Sequence, residues 1–138
     1  LKIIKVIEKV KKKIQPKIIF THHPFDLNVD HCIVTKAALT AFRPQNDEKW
    51  TNIFTYEVPS STDYNYQTNE ERFNPNTYIA IDKFWKKKEK ALNIYNSELK
   101  KYPHSRSLKK IKNLNEFRGG ESGLKLAESF CLLKEIKR

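Results

Sequence analysis

Lys17-Ile18-Ile19-Phe20-Thr21-His22-His23-Pro24-Phe25-Asp26-Leu27-Asn28-Val29-Asp30-His31 holds three of the chain's four histidines and two of its five aspartates. Its start, residues 17–21, is β-branched and aromatic, and Pro16 stops whatever helix precedes it, so the run reads as a buried strand. After His31, the apolar residues Ile33, Val34, Ala37, Ala38, Ala41 and Phe42 recur at helical spacing. The segment between is therefore a loop that leaves the C-terminal end of a strand and enters a helix. Ligands bind at that position in open α/β sheets.

Residue types suggest the chemistry. Imidazole and carboxylate side chains are common metal ligands, and zinc accepts both. Asp30-His31 stands at the helix entrance, where one side chain can bind a metal while a neighbouring carboxylate orients it. The plainer alternative is that Asp30 caps the helix and the histidines are ordinary loop residues. The stretch offers one or two ligands, whereas a catalytic zinc site has three from protein. The remainder must come from elsewhere.

Working outward, residues 2–15 place Ile3, Ile7, Val10 and Ile14 on one stripe with lysines opposite, an amphipathic helix. The helix after the histidine loop covers about 31–42 and ends at Arg43-Pro44. Trp50–Val58 alternates and reads as a strand. Pro59–Arg72 has no apolar period and reads as a long, functional loop. Asn76–Ile81 is a short strand. Asp82 is expected to cap a helix running to about Lys101. The next helix is expected over about 105–117, ending near Gly119-Gly120. Residues 123–135 read as helix followed by a short extended end.

Composition sets the class. A chain of 138 residues, 38% hydrophobic and 31% charged, supports one domain with a real core. No run of 18 apolar residues occurs, so no membrane span or membrane partner is expected, and the compartment expected is the cytoplasm. Cys32 and Cys131 lie far apart among apolar neighbours and read as free, buried thiols. The net charge of +11 raises the possibility of nucleic-acid binding. However, 22 of the 27 basic residues are Lys and five are Arg, and they scatter over helix faces. Solvated surface explains them, and no nucleic-acid partner is expected.

His22-His23-Pro24-Phe25-Asp26-Leu27-Asn28-Val29-Asp30-His31 resembles the second signature of the LmbE-like, or PIG-L, N-deacetylases. The similarity continues through Ala38–Pro44, Tyr56–Thr62, Phe73–Asn76, Pro103–Ser107, Arg118-Gly119, Gly123 and Ala127–Phe130, almost the whole chain. The resemblance implies a Rossmann-like, three-layer α/β fold. It also exposes a gap. The family's first signature, Ala-His-Pro-Asp-Asp-Glu, carries two zinc ligands and the aspartate taken as general base, and no such segment occurs here. Residues 1–138 are thus expected to be a single partial LmbE-like domain, with the N-terminal portion missing.

The implied activity is hydrolysis of an N-acetyl group on an amino sugar or related glycoconjugate, with Zn2+ as cofactor and a small-molecule amino sugar as partner. His31 is the implied zinc ligand, and Asp30 tunes a catalytic partner. Asn28 stands where some members carry a histidine that donates a proton or a hydrogen bond. An amide can donate a hydrogen bond to an oxyanion but cannot transfer a proton at neutral pH. His22 or His23 could take that part. His23, Arg43, Glu57 and His104 are candidates for the substrate pocket; Glu57 and His104 read equally as paired structural charges, and for Arg43 and Arg118 structural pairing is the favoured reading. The alternative function is a non-catalytic remnant or a basic binding module. On either reading this chain alone is expected to be inactive, and its oligomeric state is open.

Overall fold

A computed structural model describes residues 2–66 and 68–138. Its elements are helix α1 (Lys2–Ile14), strand β1 (Ile18–His22), helix α2 (Val29–Ala41), strand β2 (Asn52–Tyr56), strand β3 (Thr77–Ala80), helix α3 (Trp85–Ile94), helix α4 (Leu108–Glu121) and strand β4 (Ala127–Glu135). Short 3-10 turns occur at Asn69–Glu71 and Asp82–Phe84. The strands form one mixed four-stranded sheet in the order β1-β2-β4-β3. Two units can be distinguished, residues 1–74 with 131–138, and residues 75–130.

In the first unit β1 and β2 run parallel, with Ile18 opposite Asn52 and His22 opposite Tyr56. Parallel strands need a crossover connection, and α2 supplies it. The strands' alternation sends Ile19 and Ile53 to one face, where they meet Ala41, Phe42 and Trp50, with Ile4 and Ile7 of α1 packed against them. Full burial of such an aliphatic side chain stabilises by about 1.5–3 kcal/mol. The C-terminal segment joins this unit through Ile136 N–H to Thr51 O at 2.8 Å.

In the second unit β3 and β4 pair antiparallel, with Thr77 opposite Phe130 and Ala80 opposite Ala127. Ile81, Trp85, Ile111 and Leu126 form its core, with Leu92, Leu99 and Leu108 alongside. Asn115 Nδ2 donates to Ala127 O at 2.9 Å, fixing α4 to the start of β4.

Four local expectations are corrected. Asp82 does not cap a long helix; it opens the 3-10 turn that leads into α3. α3 ends at Ile94 rather than near Lys101, because Asn93, Asn96 and Ser97 favour local side-chain bonding over helix. α4 starts at Leu108, capped by the Ser107 hydroxyl, and runs through both glycines to Glu121. Gly119 does not stop the helix. It admits a close approach, since a Cβ there would lie 2.5 Å from Leu124 O. The stop comes at Ser122-Gly123, where Gly123 has φ +69. Finally, residues 127–135 are strand, not helix. A short apolar run fits either period, and pairing with β3 decides it.

Cys32 and Cys131 are half-buried rather than fully buried as expected, and the Cys32 thiol donates to Asp26 O at 3.1 Å. No helix among the described residues is long and apolar enough to cross a membrane.

Candidate active site

The site begins where β1 ends. Asn28 terminates the histidine loop as N-cap of α2, its Oδ1 accepting from Asp30 N–H at 3.0 Å. The capping residue is thus Asn28, not Asp30, and the bond through Oδ1 leaves the amide NH2 as a donor. Asp30 is exposed in the first turn of α2, where a negative charge complements the helix dipole. His31 follows, its side chain 18% exposed.

Behind His31 lies a buried polar cluster. His31 Nδ1 is 2.8 Å from Asp26 Oδ2. The Asp26 side chain is wholly buried, and its Oδ1 accepts from Thr62 Oγ1 at 2.6 Å. Thr62 Oγ1 in turn accepts from Val58 N–H at 2.7 Å. Leu27 N–H donates to Ser61 O at 2.9 Å, and the Asn65 amide donates to Phe25 O. The loop expected to be functional over 59–72 therefore laces itself to the histidine loop.

The two other histidines here have different parts. His22, last in β1, stacks on His31 with ring centroids 3.9 Å apart and an interplanar angle of 17°. Its other neighbour is Tyr56, at 5.1 Å. Burial, reinforced by the adjacent His31, lowers the pKa of His22 below the ordinary imidazole value, while Asp26 pulls the other way. Burial, and then Asp26, raise the Tyr56 phenol pKa. His22 and Tyr56 are thus held in their neutral forms near pH 7. His23 is only 5% exposed. Its Nε2–H donates to Glu71 O at 2.8 Å and its ring meets Phe73 edge-on, so it anchors the long loop.

The remaining candidates divide by position. Glu57 is half-buried and follows Tyr56, the residue opposite His22 in register. Arg43 is exposed beyond the far end of α2, and about 15 Å of helix separates it from His31. It lies at the end of the strands where a cavity of about 350 Å3 is lined by Lys11, Phe42 and Trp50. His104 belongs to the second unit, where its Nδ1 accepts from Arg106 N–H at 3.0 Å in the turn before α4. Arg118 pairs with Glu121 at 2.9 Å.

Asp26, Thr62 and Tyr56 went unrecognised as site residues in the sequence. Tyr56 and Thr62 fall inside a stretch that carries the family resemblance, which was the available signal. Asp26 also lies in such a stretch, five residues before His31, but nothing in the sequence around it shows what it pairs with.

Zinc can be tested against this donor set. Among the described residues no group of three His, Cys, Asp or Glu side chains is disposed to hold a metal ion. The described residues therefore do not by themselves make a zinc centre.

The mixed α/β architecture has counterparts among solved structures. No family model and no curated protein matches the sequence. Solved structures do. A conserved protein from Thermus thermophilus superposes with TM-score 0.71 at 16% identity, over 99% of this chain and 60% of its own. GalB, the 4-carboxy-2-hydroxymuconate hydratase from Pseudomonas putida, gives 0.71 at 15% identity, again over 99% and 60%. The N,N'-diacetylchitobiose deacetylase from Pyrococcus horikoshii, complexed with an inhibitor, gives 0.69 at 17%, over 96% and 51%. At these identities the likeness is one of fold. The chain spans 51–60% of the length of these proteins.

Proposed function

We propose that this chain is part of a zinc-dependent hydrolase that removes an N-acetyl group from an amino sugar or related glycoconjugate, with His31 as one zinc ligand. The observation that carries the reading is an imidazole in the first turn of α2, beyond the C-terminal end of parallel strand β1, within a sequence that resembles the deacetylase signature. The fold likeness to a diacetylchitobiose deacetylase supports it. A bound zinc would supply a water of lowered pKa and polarise the amide carbonyl. The other ligands and the general base would come from polypeptide outside this sequence. Of this chain's residues, the Asn28 amide is assigned to the developing oxyanion, Asp30 to orienting the reacting groups, and Glu57 to the sugar. His23, Arg43 and His104 are assigned structural parts.

A second reading is a non-catalytic remnant or basic binding module. What supports it is that a similar fold serves a hydratase, so fold alone does not choose the reaction.

The test uses the longest polypeptide the gene encodes. His31→Ala is expected to remove zinc and acetate release from an N-acetylglucosamine conjugate together. Asn28→Asp keeps the helix cap and is expected to lower turnover a hundredfold or more with zinc retained, since one oxyanion donor contributes about 2.7–4 kcal/mol. Metal content by mass analysis beside kinetics separates the two. Full zinc occupancy and rate in the His31→Ala protein would remove the assignment.

A further inference from the structure

We propose that Asp26 is a positioning residue that fixes His31 in the Nδ1–H tautomer, so that Nε2 carries the ring's lone pair. The direction of each hydrogen bond requires it. Val58 N–H can only donate, so Thr62 Oγ1 accepts there and must point its own hydrogen at Asp26 Oδ1. That leaves Asp26 Oδ2 to accept, and the group within reach is His31 Nδ1 at 2.8 Å. A carboxylate is an acceptor only, so the nitrogen facing it carries the hydrogen.

The ring is also held in plane. His22 lies against its face at 3.9 Å between centroids, so a flip that exchanges the two nitrogens must displace that stack as well as break the Asp26 bond. Burying a carboxylate is costly unless it is well bonded. A loop needing only a tie could use Asn, which holds a neighbouring ring without charge. What a carboxylate adds is a single tautomer, with Nε2 left as the acceptor that a metal-binding imidazole needs. Thr62 is the second member of the device, because its hydroxyl holds Asp26 while its backbone neighbours tie the long loop to Leu27.

The metal part of this inference rests on the zinc reading above; the tautomer does not. Two-bond 15N–1H correlation NMR on the 138-residue chain, well above the ordinary imidazole pKa, reads the tautomer directly. His31 is expected as Nδ1–H, and an Nε2–H or averaged ring overturns the proposal whatever zinc does. In the longest polypeptide of the gene, Asp26→Asn is expected to weaken zinc 10–100-fold in chelator competition. Thr62→Val is expected to weaken it less, and Thr62→Ser to restore it. Unchanged zinc affinity in a folded Asp26→Asn protein also overturns the positioning role. If Asp26→Asn fails to fold, the Thr62→Val and Thr62→Ser pair decides, and equal affinities there count against it. A correct tautomer in a protein that binds no zinc removes the hydrolase reading and leaves Asp26 in place.

Discussion

The two faces of the β1–β2 pair are built from alternate residues of the same ten positions, yet they have opposite fates. One face carries Ile19, Thr21, Ile53 and Thr55, all buried under α1 and α2. The other carries Ile18, Phe20 and His22 beside Asn52, Phe54 and Tyr56, and there Ile18 is 51% and Phe20 48% exposed. Parallel strands are as a rule covered on both sides. The exposed row is nevertheless ordered: Phe20 stacks on Phe54 at 5.3 Å, and the row ends at His22 and Tyr56, beside His31. The comparison teaches a division of labour. The covered face holds the strands in register, and that register delivers His22 and Tyr56 to the site on the other face.

The sharpest way to break this comparison is to change adjacent residues. Ile19→Ala, on the covered face, is expected to cost about 2–5 kcal/mol in urea unfolding, through lost transfer energy and a cavity beside Trp50 and Phe42. A cost under about 1 kcal/mol would mean that this core is not tightly packed. Next comes Thr55→Val. The Thr55 hydroxyl is fully buried with no hydrogen-bond partner among the described residues. The nearly isosteric valine is expected to stabilise by about 1–2 kcal/mol. A loss instead would show that the hydroxyl is bonded in solution, by water for instance. Smallest is Ile18→Thr, which keeps the β-branch on the exposed face. Its effect is expected to stay within about 0.5 kcal/mol. A loss as large as that of Ile19→Ala would show the exposed face to be covered in solution.

Much of this architecture could be read locally. The stripe of Ile3, Ile7, Val10 and Ile14 specifies α1, the Ile18-Ile19-Phe20 run specifies β1, and the apolar spacing from Ile33 to Phe42 specifies α2. These are decided by neighbours within one or two turns, so a linear pattern carries them. Pro16 before β1 and Pro44 after α2 mark the breaks for the same reason. The position of the histidine loop, between a strand and a helix, follows directly.

Tertiary structure decided the rest, where the partners are far apart in sequence. β4 is a strand because β3, some fifty residues earlier, offers it a ladder; its own apolar pattern also suited a helix. Gly119 is a packing residue because Leu124 turns back onto it, not a helix stop as its residue type suggested. Arg43 and His31 read alike as candidates, but the length of α2 stands between them. Thr62 is 36 residues from Asp26, and no periodicity connects them. A hydroxyl finds a buried carboxylate only when the chain has folded both out of water, where each needs the other as partner. Chemistry-bearing residues were therefore visible in the sequence as types, while their pairing waited on burial.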